Sequence, residues 1–226
     1  MKLSENQDFY ASPIQRSILI GLAGNNVISE HFFLTGGTAL SVFYLHHRTS
    51  EVLDFFTVES IDLSDIYHWI RTVWQNDQQL IRSSPEFLSL LIHNIKIEFV
   101  IDSLSEHSER PRVLIDGKSI SVDTISNIGV NKFCTIVSRT EPKDYIDFYY
   151  LFRDVYEEKF ENLYQEARKR EALFDDPPTA AYQIEEGIRF IREHPQLLSQ
   201  LRSSNEPDDF LSFFENVAKK LYKRQK

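Results

Sequence analysis

The stretch of sequence that decides the fold is residues 34–56, LTGGTALSVFYLHHRTSEVLDFF. It opens with the glycine pair Gly36 and Gly37, continues as a segment of helical period, and closes on an apolar, β-prone run around Asp54. Glycines let the backbone approach a ligand closely or take a positive φ, and Thr38 adds a hydroxyl to the first helical turn. A plain strand-to-helix turn would explain the glycine pair alone. Together with the acidic strand, the pattern predicts a site that holds a triphosphate and its metal ions.

The acidic strand has one carboxylate where a metal site would use two. Alternate residues of a strand share a face, so Asp54 and Val52 point one way and Glu51 points the other. Carboxylates at positions i and i+2 would bind the Mg²⁺ ions that neutralise a triphosphate, but the first of these positions is apolar here. In the later run IKIEFVID, residues 95–102, Glu98 lies on the polar face. Such a residue is usually only solvated, but an adjacent strand would bring Glu98 beside Asp54 as a further metal ligand.

Composition bounds the class of protein. The chain has 226 residues, 42% hydrophobic and 26% charged, with a formal net charge of -9. Its one cysteine, Cys134, allows no internal disulfide, and the sequence shows neither a signal peptide nor an apolar run of the roughly 20 residues that span a membrane. We therefore expect a soluble, cytoplasmic protein with no membrane partner. The negative net charge disfavours non-specific binding along nucleic acid but is compatible with a local basic groove.

The hydrophobic periodicity predicts a mixed α/β front half and a helical back half. We expect strands at 31–35, 52–56, 87–93, 95–101 and 118–122, and helices at 12–22, 38–45, 63–75, 124–138, 143–155, 159–172, 178–192 and 207–223. Prolines separate the later helices. The predicted domains are therefore residues 1–122 and 123–226, and a cleft between two such subdomains is a usual place for a ligand.

A second cluster of charged residues falls in the helical half. Lys132 and Arg139 are seven residues apart and share a helix face, and Lys143, Asp144 and Asp147 follow Pro142 within about one turn. Each of these residues alone has a structural explanation; Lys143 and Asp147, for example, would form a surface ion pair worth less than about 1 kcal/mol. The gathering of Lys132 and Arg139 with two acids in one helix–proline–helix corner favours a functional site. The sequence contains no Cys/His zinc spacing, nucleophile elbow or Walker loop.

These residues resemble the AbiEii/AbiGii-type nucleotidyltransferases, which are toxin components of bacterial abortive-infection and toxin–antitoxin systems. The first motif of that family is a Gly-Gly-Thr/Ser turn, a helix that ends in His-Arg, and then Ser-x-Asp-φ-Asp-Phe-Phe, where φ is apolar. Here it reads Gly36-Gly37-Thr38, His47-Arg48 and Ser50-Glu51-Val52-Leu53-Asp54-Phe55-Phe56. A later motif, Lys, then Arg, then Lys-Asp-x-x-Asp, matches Lys132, Arg139, Lys143-Asp144 and Asp147. The resemblance spans residues 30 to 155 and is weak beyond them.

The resemblance implies a polymerase-β-like α/β core, a mixed sheet with flanking helices, followed by a helical subdomain. It also implies an enzyme that transfers a nucleotide from an NTP to an acceptor, in some members the 3′ end of tRNA, and that is restrained by a cognate antitoxin. The implied nucleotide-binding residues are Gly36, Gly37, Thr38, Arg48, Ser50, Arg139 and Lys143. Asp54 and Glu98 would bind Mg²⁺ or Mn²⁺, Lys132 would join Arg139 in neutralising phosphates, and Asp144 or Asp147 would orient or deprotonate the acceptor hydroxyl.

Val52 occupies the position of the first carboxylate of the family motif, and three interpretations remain open. The chain is a silent member that binds nucleotide or a partner without chemistry, or Glu51 or Asp102 replaces the missing ligand, or the substitution disarms a toxin. The functional hypotheses are accordingly an Mg²⁺-dependent nucleotidyltransferase and, as the alternative, a catalytically silent binding protein on the same scaffold. A structural α/β protein with fortuitous motifs is the third.

Overall fold

The computed structural model describes residues 3–105, 108–153, 160–199, 201 and 206–224. The chain divides into two compact units, Met1–Asn127 and Ile128–Lys226. The first unit contains a seven-stranded mixed sheet with helices, and the second is helical in its described residues. The predicted α/β fold class is therefore confirmed. The predicted domain boundary at residue 123 lies just before a helix, whereas the two units divide inside that helix.

Apart from two short 3₁₀ helices at Gln7–Phe9 and Gln75–Asp77, the first unit contains the predicted elements and three that the sequence pattern missed. Its helices are α1 Pro13–Ala23, α2 Asn26–His31, α3 Gly36–Ala39 with a π-helical continuation Leu40–Leu45, and α4 Leu63–Trp74. Its strands are β1 Phe33–Thr35, β2 Val52–Thr57, β3 Gln78–Ser84, β4 Phe87–Ile92, β5 Ile95–Ile101, β6 Arg112–Ile115 and β7 Lys118–Val122. The missed elements are α2, β3 and β6. The predicted strand at 31–35 is shorter because residue 31 ends α2, and the helix predicted from residue 38 begins at Gly36.

The sheet order is β3-β4-β5-β2-β1-β7-β6, so the acidic strands β2 and β5 lie side by side near its centre. β2 pairs parallel to β5 and antiparallel to β1. Strands β4 and β5 form the predicted hairpin, whose turn residues His93 and Asn94 both have positive φ. Two consecutive positive φ values are typical of the type I′ turns that match the twist of a hairpin.

One face of the central strands forms the core of the first unit. Leu53 and Phe55 of β2 are fully buried, as are Ile97 and Phe99 of β5, and the rings of Phe55 and Phe99 stack with centroids 5.1 Å apart. Because successive side chains alternate across a strand, the residues between them point to the opposite face. The polar residues of β2 and β5 are therefore presented together, away from this core.

The helical unit begins within α5 Ile125–Ser138 and continues with α6 Pro142–Leu151, α7 Phe160–Arg168, α8 Pro177–Glu193 and α9 Glu206–Tyr222. All five helices were predicted; residues 154, 155 and 159 of the predicted segments lie outside the described residues. Aromatic side chains dominate the core, with Phe133, Phe148 and Phe214 fully buried. Across the described parts of the chain, no helix is both long enough and apolar enough to cross a bilayer.

Candidate active site

The two carboxylates expected to bind metal lie side by side in the first unit. In the parallel pairing of β2 with β5, Asp54 is the register partner of Glu98. Both side chains belong to the half-buried face of their strands, between the fully buried neighbours Leu53 and Phe55 on β2 and Ile97 and Phe99 on β5. Paired strands are about 4.8 Å apart. The structure thus places Glu98 beside Asp54, as the alternation of the two strands led us to expect.

The glycine turn packs directly on Asp54. Thr35, the last residue of β1, is the register partner of Asp54, and Gly36 follows it with a φ of 69°. A β-carbon at residue 36 would lie 2.4 Å from Oδ2 of Asp54, well inside van der Waals contact. Glycine is therefore required here both for the backbone conformation and for the close approach of the carboxylate.

The second glycine approaches a cation and a hydroxyl. A β-carbon at Gly37 would lie 2.7 Å from Nη2 of Arg48 and 2.7 Å from Oγ of Ser50. Arg48 is largely buried, and its Nη1 donates a hydrogen bond of 2.7 Å to the carbonyl of Thr49. The bare backbone at residue 37, with a guanidinium and a hydroxyl beside it, offers the donors that a phosphate group needs.

Thr38, unlike the two glycines, contributes a side-chain hydrogen bond to the turn. Its side chain is fully buried, and its hydroxyl donates a hydrogen bond of 2.5 Å to the carbonyl of Val52. This bond joins the first turn of α3 to the first residue of β2. In this structure the hydroxyl holds the glycine turn in position against the acidic strand.

Val52 has a charged neighbour on the adjacent strand. Its register partner on β5 is Lys96, which shares a face with Glu98. The ammonium Nζ of Lys96 lies 2.6 Å from Oε1 of Glu98, and Ser89 of β4 donates a hydrogen bond of 3.4 Å to the same oxygen. The polar face of the two central strands therefore carries two carboxylates and one ammonium group.

Neither of the two substitute ligands considered for Val52 lies beside Asp54. Glu51 precedes the first paired residue of β2, whose pairing with β5 shows no register shift from Val52 to Thr57, and alternation along the strand directs Glu51 away from Asp54. Asp102 lies four residues beyond Glu98, about 13 Å along the strand direction. Its carboxylate accepts hydrogen bonds from the Ser105 hydroxyl at 2.6 Å and the Leu104 amide at 3.1 Å. The interpretation that Glu51 or Asp102 replaces the missing ligand is therefore not supported.

The donor set fits one divalent cation better than two. Mg²⁺ is commonly bound by one or two carboxylates together with substrate phosphates, and Asp54 with Glu98 meets that requirement. A second ion beside Val52 would meet an apolar side chain and the ammonium group of Lys96. Among the described residues, no group of three or more His, Cys, Asp or Glu side chains is arranged to hold a metal ion alone. Metal binding here would thus depend on the phosphates of a nucleotide.

The charged residues predicted in the helical unit form a compact network there. Nζ of Lys132 lies 2.6 Å from Oδ1 of Asp144 and 2.7 Å from Oδ2 of Asp147, and Nη2 of Arg139 lies 2.7 Å from Oδ2 of Asp144. Both aspartates are fully buried, and the Lys132 side chain is 10% exposed. Burial alone would raise the pKa of Asp144, but Lys132 and Arg139 outweigh it and hold that pKa below its ordinary value. Asp144 is therefore an anion at neutral pH.

The charged residues of the helical unit differ in how far they are exposed to solvent. Lys132 compensates two buried carboxylates, whereas the Arg139 side chain is 54% exposed and can contact a ligand from solvent. Lys143 is exposed near the start of α6, but Asp147 is fully buried and contacts Lys132. The alternative of a surface ion pair between Lys143 and Asp147 is therefore wrong.

Asp123 supports the glycine turn, and the sequence analysis missed it. It is fully buried at the end of β7, where its Oδ2 accepts hydrogen bonds from the Thr35 hydroxyl at 2.8 Å and the Asn127 amide at 2.7 Å. Nε of Arg110 donates to Oδ1 at 3.1 Å. Through Thr35, this buried acid positions the residue that precedes Gly36. An acid directly after the alternating run SISV and before a helix was the available signal.

The structure thus assembles the predicted residues as two groups, one in each unit. The group of the first unit consists of Gly36, Gly37, Thr38, Arg48, Ser50, Asp54 and Glu98. The group of the helical unit consists of Lys132, Arg139, Asp144 and Asp147, with Lys143 adjacent in sequence. Their roles in binding and catalysis stay predictions.

Comparison with known proteins bears on the family and on the fold of the chain. A family model described as nucleotidyl transferase AbiEii toxin, type IV TA system, matches residues 18–218. A proposed nucleotidyltransferase from Helicobacter pylori has a similar structure, with a TM-score of 0.54 and 20% sequence identity over 98% of this chain and 99% of that chain. JHP933 from Helicobacter pylori aligns with a TM-score of 0.53 and 20% identity over 97% and 96% of the two chains. A comparison with curated proteins gave no match.

Proposed function

Because the chain belongs to the AbiEii family of nucleotidyl transferase toxins, we propose that it transfers a nucleotide from an NTP to an acceptor hydroxyl. The proposed acceptor is the 3′ end of tRNA, and the proposed cofactor is Mg²⁺ or Mn²⁺. In that reaction the acceptor oxygen bonds to the α-phosphorus, the bond to the β-phosphate breaks, and pyrophosphate leaves. The hydroxyl proton passes to a base.

The observation that carries the proposal is the packing of the Gly36 turn against Asp54, with Glu98 in register beside it. A turn without side chains admits phosphate oxygens to the backbone, and a pair of carboxylates on adjacent strands suits the accompanying cation. Arg48 and Ser50 beside Gly37 add a positive charge and a hydroxyl at the same turn. A plain strand-to-helix turn needs none of these polar neighbours.

Each residue of the first unit has a definite part in the proposed mechanism. Asp54 and Glu98 would hold the divalent cation, which supplies neutralisation of the charge that develops on the phosphates. Gly36 and Gly37 admit the phosphate chain to the backbone, and Arg48 and Ser50 donate to its oxygens. Thr38 keeps the turn in place through its bond to the carbonyl of Val52.

The helical unit supplies the remaining charges of the proposal. Arg139, which is exposed, and Lys143 near the start of α6 would contact phosphate oxygens, and Lys132 would add charge while it fixes Asp144 and Asp147. Asp144, which is fully buried and held ionised by its cations, is one candidate for the residue that orients the acceptor hydroxyl. Asp147 is the other candidate for this role.

A catalytically silent binding protein is the second candidate function. Val52 and the contact between Lys96 and Glu98 favour it, since a site with fewer ligands and an internal cation holds divalent metal less strongly. The type IV toxin–antitoxin family also implies an antitoxin partner. We propose that this partner restrains the chain whether the chain is an enzyme or a binder.

Transfer of labelled nucleotide tests the proposal directly. The wild-type chain is incubated with each labelled NTP, Mg²⁺ and total cellular RNA, in parallel with Asp54→Asn and with Asp65→Asn, which removes an exposed carboxylate of α4. We expect label on small RNA with the wild type and Asp65→Asn, and a loss of at least about 100-fold with Asp54→Asn. Absence of label with all four NTPs, together with calorimetric binding of at least one, would select the silent binder. Absence of both would refute the nucleotide-dependent function.

A further inference from the structure

We propose that Lys96 is a phosphate-binding residue of this chain, whose ammonium group contacts the triphosphate of the bound nucleotide from the strand position opposite Val52. The inference rests on the proposed nucleotide function and names a residue that the sequence analysis left without a role. It follows from the strand register, from the accessibility of the ammonium group and from the charge of the polar face.

The register places Lys96 inside the candidate site. Lys96 pairs with Val52, two residues along the strands from the pair Asp54 and Glu98. Alternation therefore puts all four side chains on one face, where the two pairs are neighbours. β5 lies between β4 and β2, so Lys96 belongs to an interior strand of the sheet and not to an edge strand. An aspartate at residue 52 would share this row with the ammonium group.

The ammonium group is both directed into the site and open to a ligand. Its Nζ lies 2.6 Å from Oε1 of Glu98, yet the Lys96 side chain remains 43% exposed. Among the described contacts of Glu98, those of Lys96 and Ser89 both use Oε1. A lysine has three donors, so contact with Glu98 leaves donors for phosphate oxygens.

The charge balance of the polar face of β2 and β5 supports a contact between Lys96 and phosphate. Asp54 and Glu98 contribute two negative charges where a polyanion is to bind, and Lys96 offsets one of them. With an apolar side chain at residue 52, a fixed ammonium supplies the positive charge that a second divalent ion would otherwise bring. The ordinary explanation, a surface ion pair of little energetic value, predicts no effect on ligand binding.

Binding of inorganic triphosphate, and of each of the four NTPs, to the full chain tests the inference by calorimetry. Titrations in EDTA isolate the contribution of the side chains from that of metal, and titrations in Mg²⁺ follow. The variants are Lys96→Gln, the charge-retaining Lys96→Arg, and Lys118→Gln, which removes an exposed lysine at the start of β7. We expect Lys96→Gln to weaken metal-free binding by about 10-fold or more, because a charge-assisted hydrogen bond is lost. Lys96→Arg should keep most of the affinity, and Lys118→Gln should match the wild type.

The outcomes separate this inference from the proposed function. Equal metal-free affinity of Lys96→Gln and the wild type would overturn the role of Lys96, as would wild-type binding that appears only with Mg²⁺. In both cases nucleotide binding itself would stand. If the wild type binds no NTP under either condition, the proposed function fails and the role of Lys96 fails with it. Thermal unfolding of each variant verifies that the fold is retained.

Discussion

A β-carbon added to Gly36 would lie 2.4 Å from Oδ2 of Asp54, so the glycine turn and the acidic strand are in direct contact. The contact couples a backbone conformation to the position of the carboxylate proposed to bind metal. Any side chain at residue 36 must displace the turn, the carboxylate or both. The proposed site is therefore sensitive to the smallest substitution at this position.

The change Gly36→Ala should impair nucleotide transfer far more than it impairs folding. The φ of 69° costs an alanine about 1–2 kcal/mol in unfolding free energy, and the clash with Asp54 displaces the site. We expect a loss of transfer activity of about 100-fold, as for a displacement of roughly 1 Å in an active site. Urea unfolding and single-turnover transfer measure the two effects.

Gly117→Ala is the matched control for this change. Gly117 has a φ of 77°, and a β-carbon there would meet nothing within 4 Å. The control should lose a similar free energy of unfolding and keep full activity. Equal activity of the two variants would show that the contact with Asp54 has no functional weight.

The change Val52→Asp should increase the dependence of nucleotide binding on Mg²⁺. A carboxylate beside Asp54 adds a ligand for divalent metal and places a second negative charge near Lys96. We expect tighter binding of NTP in Mg²⁺, by about 10-fold, and weaker binding in EDTA. Isothermal titration in the two buffers measures both.

Leu114→Asp adds the same charge at an exposed residue of β6 and should alter neither binding constant. If Val52→Asp raises nucleotide transfer as well as binding, the natural chain is a disarmed enzyme. Unchanged Mg²⁺ dependence would instead show that residue 52 does not face the bound metal.

The change Lys132→Met should destabilise the helical unit strongly. It leaves Asp144 and Asp147 buried with one fewer cation, and the loss of one partner from a buried ion pair costs about 3–5 kcal/mol. The double change Lys132→Met with Asp147→Asn restores charge balance between Asp144 and Arg139 and should recover part of the loss. Urea unfolding, followed by circular dichroism, measures each variant.

Lys169→Met, which breaks the exposed pair with Glu166, should change the free energy of unfolding by less than about 0.5 kcal/mol. A loss below about 1 kcal/mol for Lys132→Met would contradict the structural role, and a specific loss of nucleotide affinity in that variant would support the phosphate-binding role alone.

Period and turn chemistry predicted most of the fold, and the exceptions have identifiable causes. Alternation in residues 95–102 was sufficient to place Glu98 on the polar face. Strand β3, with the sequence QQLIRSS, was missed because it is an exposed edge strand without a buried face to impose alternation. Strand β6 is only four residues long, and its usable signal was the Asp116-Gly117 turn, where both residues have positive φ.

The sequence predicted only those parts of the candidate site that are formed by residues close together in the chain. The glycine turn and Asp54 are near neighbours in the chain, and their pattern predicted that they belong to one site. The pairing of Val52 with Lys96 depends on the register of two strands that are far apart in sequence, which no local pattern contains. The burial of Lys132 between two aspartates likewise depends on how α5 and α6 pack.

The network of Asp144 should make the protein sensitive to acid. Lys132 and Arg139 outweigh burial and hold the pKa of Asp144 below its ordinary value of 3.8, so the unfolded chain takes up the proton first as pH falls. The stabilisation is therefore fully present above the unfolded pKa and is lost as pH falls through the lower, folded pKa. We expect the free energy of unfolding, measured with urea between about pH 6 and pH 2, to fall less steeply below about pH 4 in Asp144→Asn than in the wild type. Identical slopes would mean that Asp144 gains nothing from its cations in the folded protein.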